Sequence, residues 1–175
     1  MMFRFLSDFV LRYRLNKNLK QLAGVSKERF THFKNIIILI PQEYEIEDQL
    51  FLKLSKELKV HKQDISIVQF GKNDESEVSG KMIYKMNFSK KAISFWGVLN
   101  DDHVLFFDKK FDLLINYFDD KTLLPSYVSS LCKAKFRLGF SNADHTLNDL
   151  ILTINPKDVD LFLSESIKYL RTIIK

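Results

Sequence analysis

Glycine is scarce in this 175-residue chain: there are five, and none lies between Gly24 and Gly71. A dinucleotide or phosphate site after a first strand needs glycines so that backbone N–H groups can approach the anion. Neither a dinucleotide fingerprint nor a P-loop is therefore present, and the acids that stand there instead, Glu43, Glu45, Glu47 and Asp48, would repel a phosphate. Cysteine is scarcer still. Cys132 alone permits no internal disulfide and no zinc site of the usual kind, which points to a reducing compartment. His32, His61, His103 and His145 show no HExxH or comparable spacing. The longest aliphatic run, Ile36 to Ile40, is far too short to span a bilayer. The apolar start is broken by Arg4, Asp8 and Arg12 with no small-residue cleavage site after it, so it does not read as a signal peptide. The expected location is cytoplasmic, with a membrane-peripheral position open to it.

What is present is ordinary for a folded chain: 46% hydrophobic and 28% charged residues, with 16 phenylalanines for an aromatic interior. The charge is unevenly placed. Residues 1–34 hold eight basic side chains against two acidic, a net +6, whereas the other 141 hold 19 against 20, a net −1. The basic character thus belongs to an N-terminal arm, residues 1–34, and the body, residues 35–175, is balanced.

Within the arm, Met2, Phe3, Phe5, Leu6, Phe9, Val10 and Tyr13 fall on one side of a helical wheel, and Arg4, Asp8, Arg12 and Arg14 on the other. Lys17 and Lys20 then interrupt the apolar side, so about three amphipathic turns pass into a basic extension ending near Gly24. Such a helix either packs its Phe-rich face on the body or on a second copy, or lies on an anionic membrane, or binds RNA. Arg4, Arg12, Arg14, Lys17 and Lys20 would make the contact with any such partner, an unknown protein included.

The body opens with NIIILIP, residues 35–41, a continuous aliphatic run suited to a parallel strand buried on both faces. Ile46, Leu50, Leu54 and Leu58 predict a helix over 45–59. Strands are expected at 64–70, 82–88, 112–118, from Phe136, and at 150–154, with a helix over 121–133 and a polar loop over 71–81. Residues 89–110 show no clear period beyond a short helix expected to carry Phe106 and Phe107. Asn155, Pro156 and Asp158 predict the start of a last helix that runs almost to Lys175. The fold class that follows is α/β, a three-layer Rossmann-like, mostly parallel sheet forming one domain behind an N-terminal basic amphipathic helix.

In such a sheet ligands sit outside the carboxyl ends of the strands. A strand-end pocket would draw on Glu43, Asn116, Asp119, Asp120, Asn142, Asp144 and His145. Adjacent aspartates after a strand are also what a solvated turn and helix cap look like. Cys132 lies on the apolar stripe of Leu124, Tyr127, Val128 and Leu131, which predicts a thiol near the core and inert. No catalytic residue, metal or cofactor is assigned.

The stretch FDLLIN, followed by a helix and then AKFRLGF, within residues 111–140, resembles a segment in the first domain of bacterial heptosyltransferases. The chain as a whole is similar to an uncharacterised family of small α/β proteins from Bacteroidota, a domain of unknown function. The first resemblance implies half of a two-domain glycosyltransferase fold. Those enzymes use a glycine-rich loop with an aspartate after the first strand, where this chain reads PQEYE, and a second domain to hold the sugar nucleotide, which these 175 residues are not expected to supply. The expected function is therefore a non-enzymatic binding or adaptor protein that contacts its partner through the basic helix. The alternative is a sugar-nucleotide or small-molecule binding enzyme.

Overall fold

Ile36–Pro41 forms β1 and is buried along its whole length. Its side chains alternate between two cores, because successive residues of a strand point to opposite faces. Ile36, Ile38 and Ile40 enter one core, Ile37 and Leu39 the other. The computed structural model describes residues 2–23, 31–44, 46–71, 83–118, 122–143 and 145–174, apart from the side chains of residues 2–6 and 48–50.

β1 lies inside a six-stranded sheet with β2 (Ile65–Phe70), β3 (Tyr84–Phe88), β4 (Lys110–Asn116), β5 (Lys133–Phe140) and β6 (Leu150–Leu152), in the order β3-β2-β1-β4-β5-β6. Every pairing is parallel. α2 (Asp48–Leu58) joins β1 to β2 and α4 (Leu123–Leu131) joins β4 to β5. The chain moves outward in opposite directions in these two crossovers, so right-handed connections place the two helices on opposite faces. Phe51 and Leu54 of α2 and Phe162, Leu163 and Leu170 of α5 (Val159–Ile173) indeed share the core with Ile36 and Ile38. Tyr127 and Val128 of α4, Leu11 of α1 (Met2–Leu22) and Phe106 and Phe107 of α3 (Asp101–Phe107) share the other with Ile37 and Leu39. This is the Rossmann-like, three-layer arrangement expected, with a sheet parallel throughout.

Of the local readings, one is filled in and one changes. Residues 89–110 fold as a turn at Lys90–Ala92, an antiparallel bridge from Ile93 to Leu99, and α3, which carries Phe106 and Phe107 as expected. Asn100 caps α3, its side chain accepting from the His103 N–H at 3.3 Å. The last helix starts at Val159, later than Asn155 and Pro156 suggest. Asn155 instead accepts from the Lys157 N–H at 3.0 Å, which makes a turn ahead of the helix. The polar loop expected at 71–81 lies outside the described residues from position 72 onward.

Asp112 ties the entry of β1 to β4. Its carboxylate accepts from the Lys34 and Asn35 N–H groups at 2.8 and 3.2 Å and pairs with Lys135 at 3.0 Å. Burial pushes this carboxyl up, but the hydrogen bonds from Lys135, Lys34 and Asn35 outweigh it and hold it below the ordinary 3.8. A depressed carboxyl contributes stability that is present above its unfolded value and lost as the pH falls through its folded value. Asp112→Asn is therefore expected to lower the urea midpoint at neutral pH and to narrow that gap below pH 3.8. A gap that stays constant across the acid limb would show that this carboxylate is not what the tie depends on.

Candidate functional site

The strand order reverses between β1 and β4, and the crevice outside their carboxyl ends is where such sheets hold ligands. Here the chain leaving β1 turns back on itself. The Gln42 N–H donates to the Phe70 carbonyl at 2.8 Å and the Tyr44 N–H to the Pro41 carbonyl at 3.2 Å. The Tyr44 ring then stands edge-on to Tyr117, centroids 5.6 Å apart. Tyr117 packs on Phe140 and Phe162 at 5.1 and 4.9 Å, and its hydroxyl donates to the Pro156 carbonyl. Aromatic side chains thus fill the side of the crevice on which a glycine loop would leave room.

The residues expected to line a strand-end pocket are distributed as follows. Glu43 and Asn142 are exposed, and His145 turns its ring back to donate to the Ser141 carbonyl at 2.7 Å. Asn116 is fully buried and joins its side-chain amide to that of Asn148 at 2.7 Å, which leaves its second amide atom without a partner among the described residues. Asp119, Asp120 and Asp144 lie outside the described residues. Asn116 and His145 are each engaged elsewhere than with Glu43. Among the described residues, no group of three or more His, Cys, Asp or Glu could hold a metal ion. An open concavity of about 660 Å³, lined by His32, Lys34, Lys59, His61, Asp64 and Arg171 among others, lies at the opposite, amino ends of β1 and β2.

Beneath α4 runs a buried polar seam that sequence reading passed over. Arg137 of β5 is 5% exposed, and its guanidinium donates to the Ser129 carbonyl at 2.9 Å and the Cys132 carbonyl at 2.5 Å. These are carbonyls at the carboxyl end of α4, where a cation also meets the negative end of the helix dipole. Burial lowers the pKa of Arg137 from its ordinary value, and the neighbouring Cys132 and Asp149 counteract it. Cys132 is itself buried, its thiol pushed up to about 12 by desolvation in spite of Arg137. Such a thiol is held in its protonated form, and its burial agrees with the place near the core expected from the apolar stripe that leads up to it.

α1 lies on this same layer, and it uses a different face from the one its phenylalanines suggest. Leu11 is buried, and Leu15, Leu19 and Leu22 pack on the core formed by α3, α4 and the sheet. Asp8 pairs with Lys90, and Asn18 donates to the Ser130 hydroxyl at 3.0 Å. Arg14 runs its stem over Gly97, where a β-carbon would come within 2.7 Å of Arg14 Cδ and where φ is +73°. Gly97 is thus needed for both its backbone conformation and the close approach. The Gly97 carbonyl accepts from the Tyr127 hydroxyl at 2.5 Å, and burial raises the pKa of that phenol while Arg14 opposes it.

Phe9 and Tyr13, on the side that one of the readings packs on the body, are 69% and 67% exposed. The reason is that the helix carries apolar residues at two phases: leucines at 11, 15, 19 and 22 dock, and the aromatic phase is left facing outward. Arg12, Arg14, Lys17 and Lys20 are exposed as well, Arg14 with its stem over Gly97, and the side chain of Arg4 lies outside the described ones. Beside the helix, the turn at 94–98 closes with the Ser94 N–H donating to the Val98 carbonyl at 2.8 Å. It presents Trp96, 68% exposed, edge-on to Phe95. Of the ten exposed large hydrophobic side chains among the described residues, seven (Phe9, Tyr13, Phe95, Trp96, Val98, Val104 and Leu105) belong to α1, α3 and the turn before α3, all on one layer of the molecule. No helix among the described residues is long and apolar enough to cross a membrane.

The model of the Family of unknown function (DUF6913) matches residues 8–173. No curated protein and no solved structure matches the chain.

Proposed function

The chain belongs to that family of unknown function, and we propose for it a non-enzymatic binding or adaptor role. The body, residues 35–175, acts as scaffold, and the arm, residues 1–34, presents the outward side of α1 to a partner, with the 94–98 turn beside it. The observation that carries this reading is the pair Phe9 and Tyr13, two-thirds exposed next to Arg12, Lys17 and Lys20 on a helix whose other side is anchored. Large aromatic side chains grouped with cations on one exposed layer are what contact surfaces retain and solvated surfaces avoid. The aromatic filling of the β1/β4 crevice by Tyr44 and Tyr117 supports the same reading over a sugar-nucleotide enzyme related to half of a glycosyltransferase.

Fractionation of a native lysate containing the full chain tests it. The wild type is expected in material larger than the 20.7 kDa monomer, and Phe9→Ser/Tyr13→Ser as the free monomer. Because both side chains are exposed, each substitution should change stability by no more than about 0.5 kcal/mol. Identical fractionation of the two proteins would refute the surface. A thermal shift with a sugar nucleotide, lost in Glu43→Gln, would show ligand binding at the strand ends and overturn the adaptor reading in favour of the enzyme.

A further inference from the structure

The partner's chemistry can be argued from the same surface, and the inference rests on the adaptor reading above. We infer that the outward side of α1 docks on an anionic lipid surface, with the helix lying in the plane of the headgroups and Trp96 entering beside it.

Three features select a membrane over the other occupants. The first is the mix of residue types on the surface. Phe9 and Tyr13 are exposed on α1, and Val98, Val104 and Leu105 are exposed beside them on the same layer. Acyl chains accept valine and leucine as readily as aromatic rings, whereas nucleic-acid bases stack on aromatic planes and gain nothing from the aliphatic members. Tyrosine and tryptophan are, besides, the residues that settle at the level of lipid headgroups.

The second is charge. Arg12, Lys17 and Lys20 are exposed along α1. Asp8, the helix's one acid, is neutralised by Lys90. Asp101 and Asp102, the acids nearest in the same layer's sequence, open α3. A second copy meeting this helix across a two-fold axis would bring the same cations together, while an anionic lipid surface attracts each of them. The third is posture. α1 is held by Leu11, Leu15, Leu19 and Leu22 and by Asn18 on the side that faces the body, so its opposite side can sink into an interface along its length with no rearrangement of the fold.

Trp96 is the one tryptophan of the chain, so its fluorescence reports on the proposed site alone among tryptophans. The purified full chain is mixed with vesicles of phosphatidylcholine, or of phosphatidylcholine and phosphatidylglycerol in equal parts, and followed by co-sedimentation and Trp96 emission. Binding with a blue shift is expected for the anionic vesicles only, and is expected to weaken with salt. Lys17→Gln/Lys20→Gln should bind about thirtyfold more weakly, at about 1 kcal/mol for each cation near the surface. Phe9→Ser/Tyr13→Ser should lose the blue shift, and both variants should melt with the wild type. No binding to anionic vesicles, equal binding to neutral ones, or variants that bind like the wild type would each overturn the inference. If the lysate association persists without vesicle binding, the adaptor reading stands and the lipid falls. RNA binding in a gel, or a dimer by sedimentation, lost in the same variants while vesicles are ignored, would put another occupant in its place.

Discussion

Arg137→Ala is expected to cost about 3–5 kcal/mol of stability, the combined effect of two buried carbonyls left without a donor and of the void left by the side chain. The guanidinium is the donor to two carbonyls at the end of α4, Ser129 and Cys132, and is almost wholly enclosed. Without it, those carbonyls are left in the interior with a void where the side chain stood. Arg137→Lys should recover only part of the loss, because an ammonium on a flexible stem does not reproduce the planar fork that spans the two carbonyls. Arg137→Met fills volume but donates nothing, and its cost relative to alanine separates the void from the lost hydrogen bonds. Urea denaturation midpoints of the three variants decide the matter. A loss under about 1 kcal/mol for Arg137→Ala would mean that water replaces the guanidinium and that the cap is dispensable.

Gly139→Val is expected to cost about 2–3 kcal/mol, in line with other overpacked interiors. Valine suits a strand, and nothing in the backbone forbids it; the obstacle is Asn148, whose side-chain amide lies over Gly139. A β-carbon there would fall 2.5 to 2.7 Å from the Nδ2, Oδ1 and Cγ atoms of Asn148. That amide cannot swing aside freely, because it is joined to the buried Asn116 side chain of the adjacent strand. Asn148→Ala alone should cost about 1–3 kcal/mol by leaving the Asn116 amide unsatisfied. In that background the added Gly139→Val should be much cheaper, so the double variant should be less destabilised than the sum by more than about 1 kcal/mol. Strict additivity would refute the clash.

The two predictions show how local the legible part was. That Gly139 would matter could be read from a residue without a side chain at the end of a strand, but the partner that makes it matter lies at Asn148, on the loop before β6. Nothing in the sequence marked Asn148. Arg137 was hidden for a similar reason: a basic residue in an alternating strand looks like the solvent-facing member, and only the return of α4 over β5 turns that face inward.

Sequence alone determined the parallel α/β class, because strands buried on both faces must be aliphatic without interruption, as Ile36 to Ile40 are, and helices laid on them must repeat every three to four residues. It likewise determined the division of charge and the want of glycines after β1, since both are properties of residue order. The tertiary structure decided what those patterns face. Periodicity reports that a side of an element is apolar, never what covers it; α1 has two such sides, and the leucine side docked because Val128 and Tyr127 of α4 receive it while Asn18 finds Ser130. Phe9 and Tyr13 were thereby left in the open, and the exposed aromatic side of α1 follows from that choice of face rather than from the count of its phenylalanines.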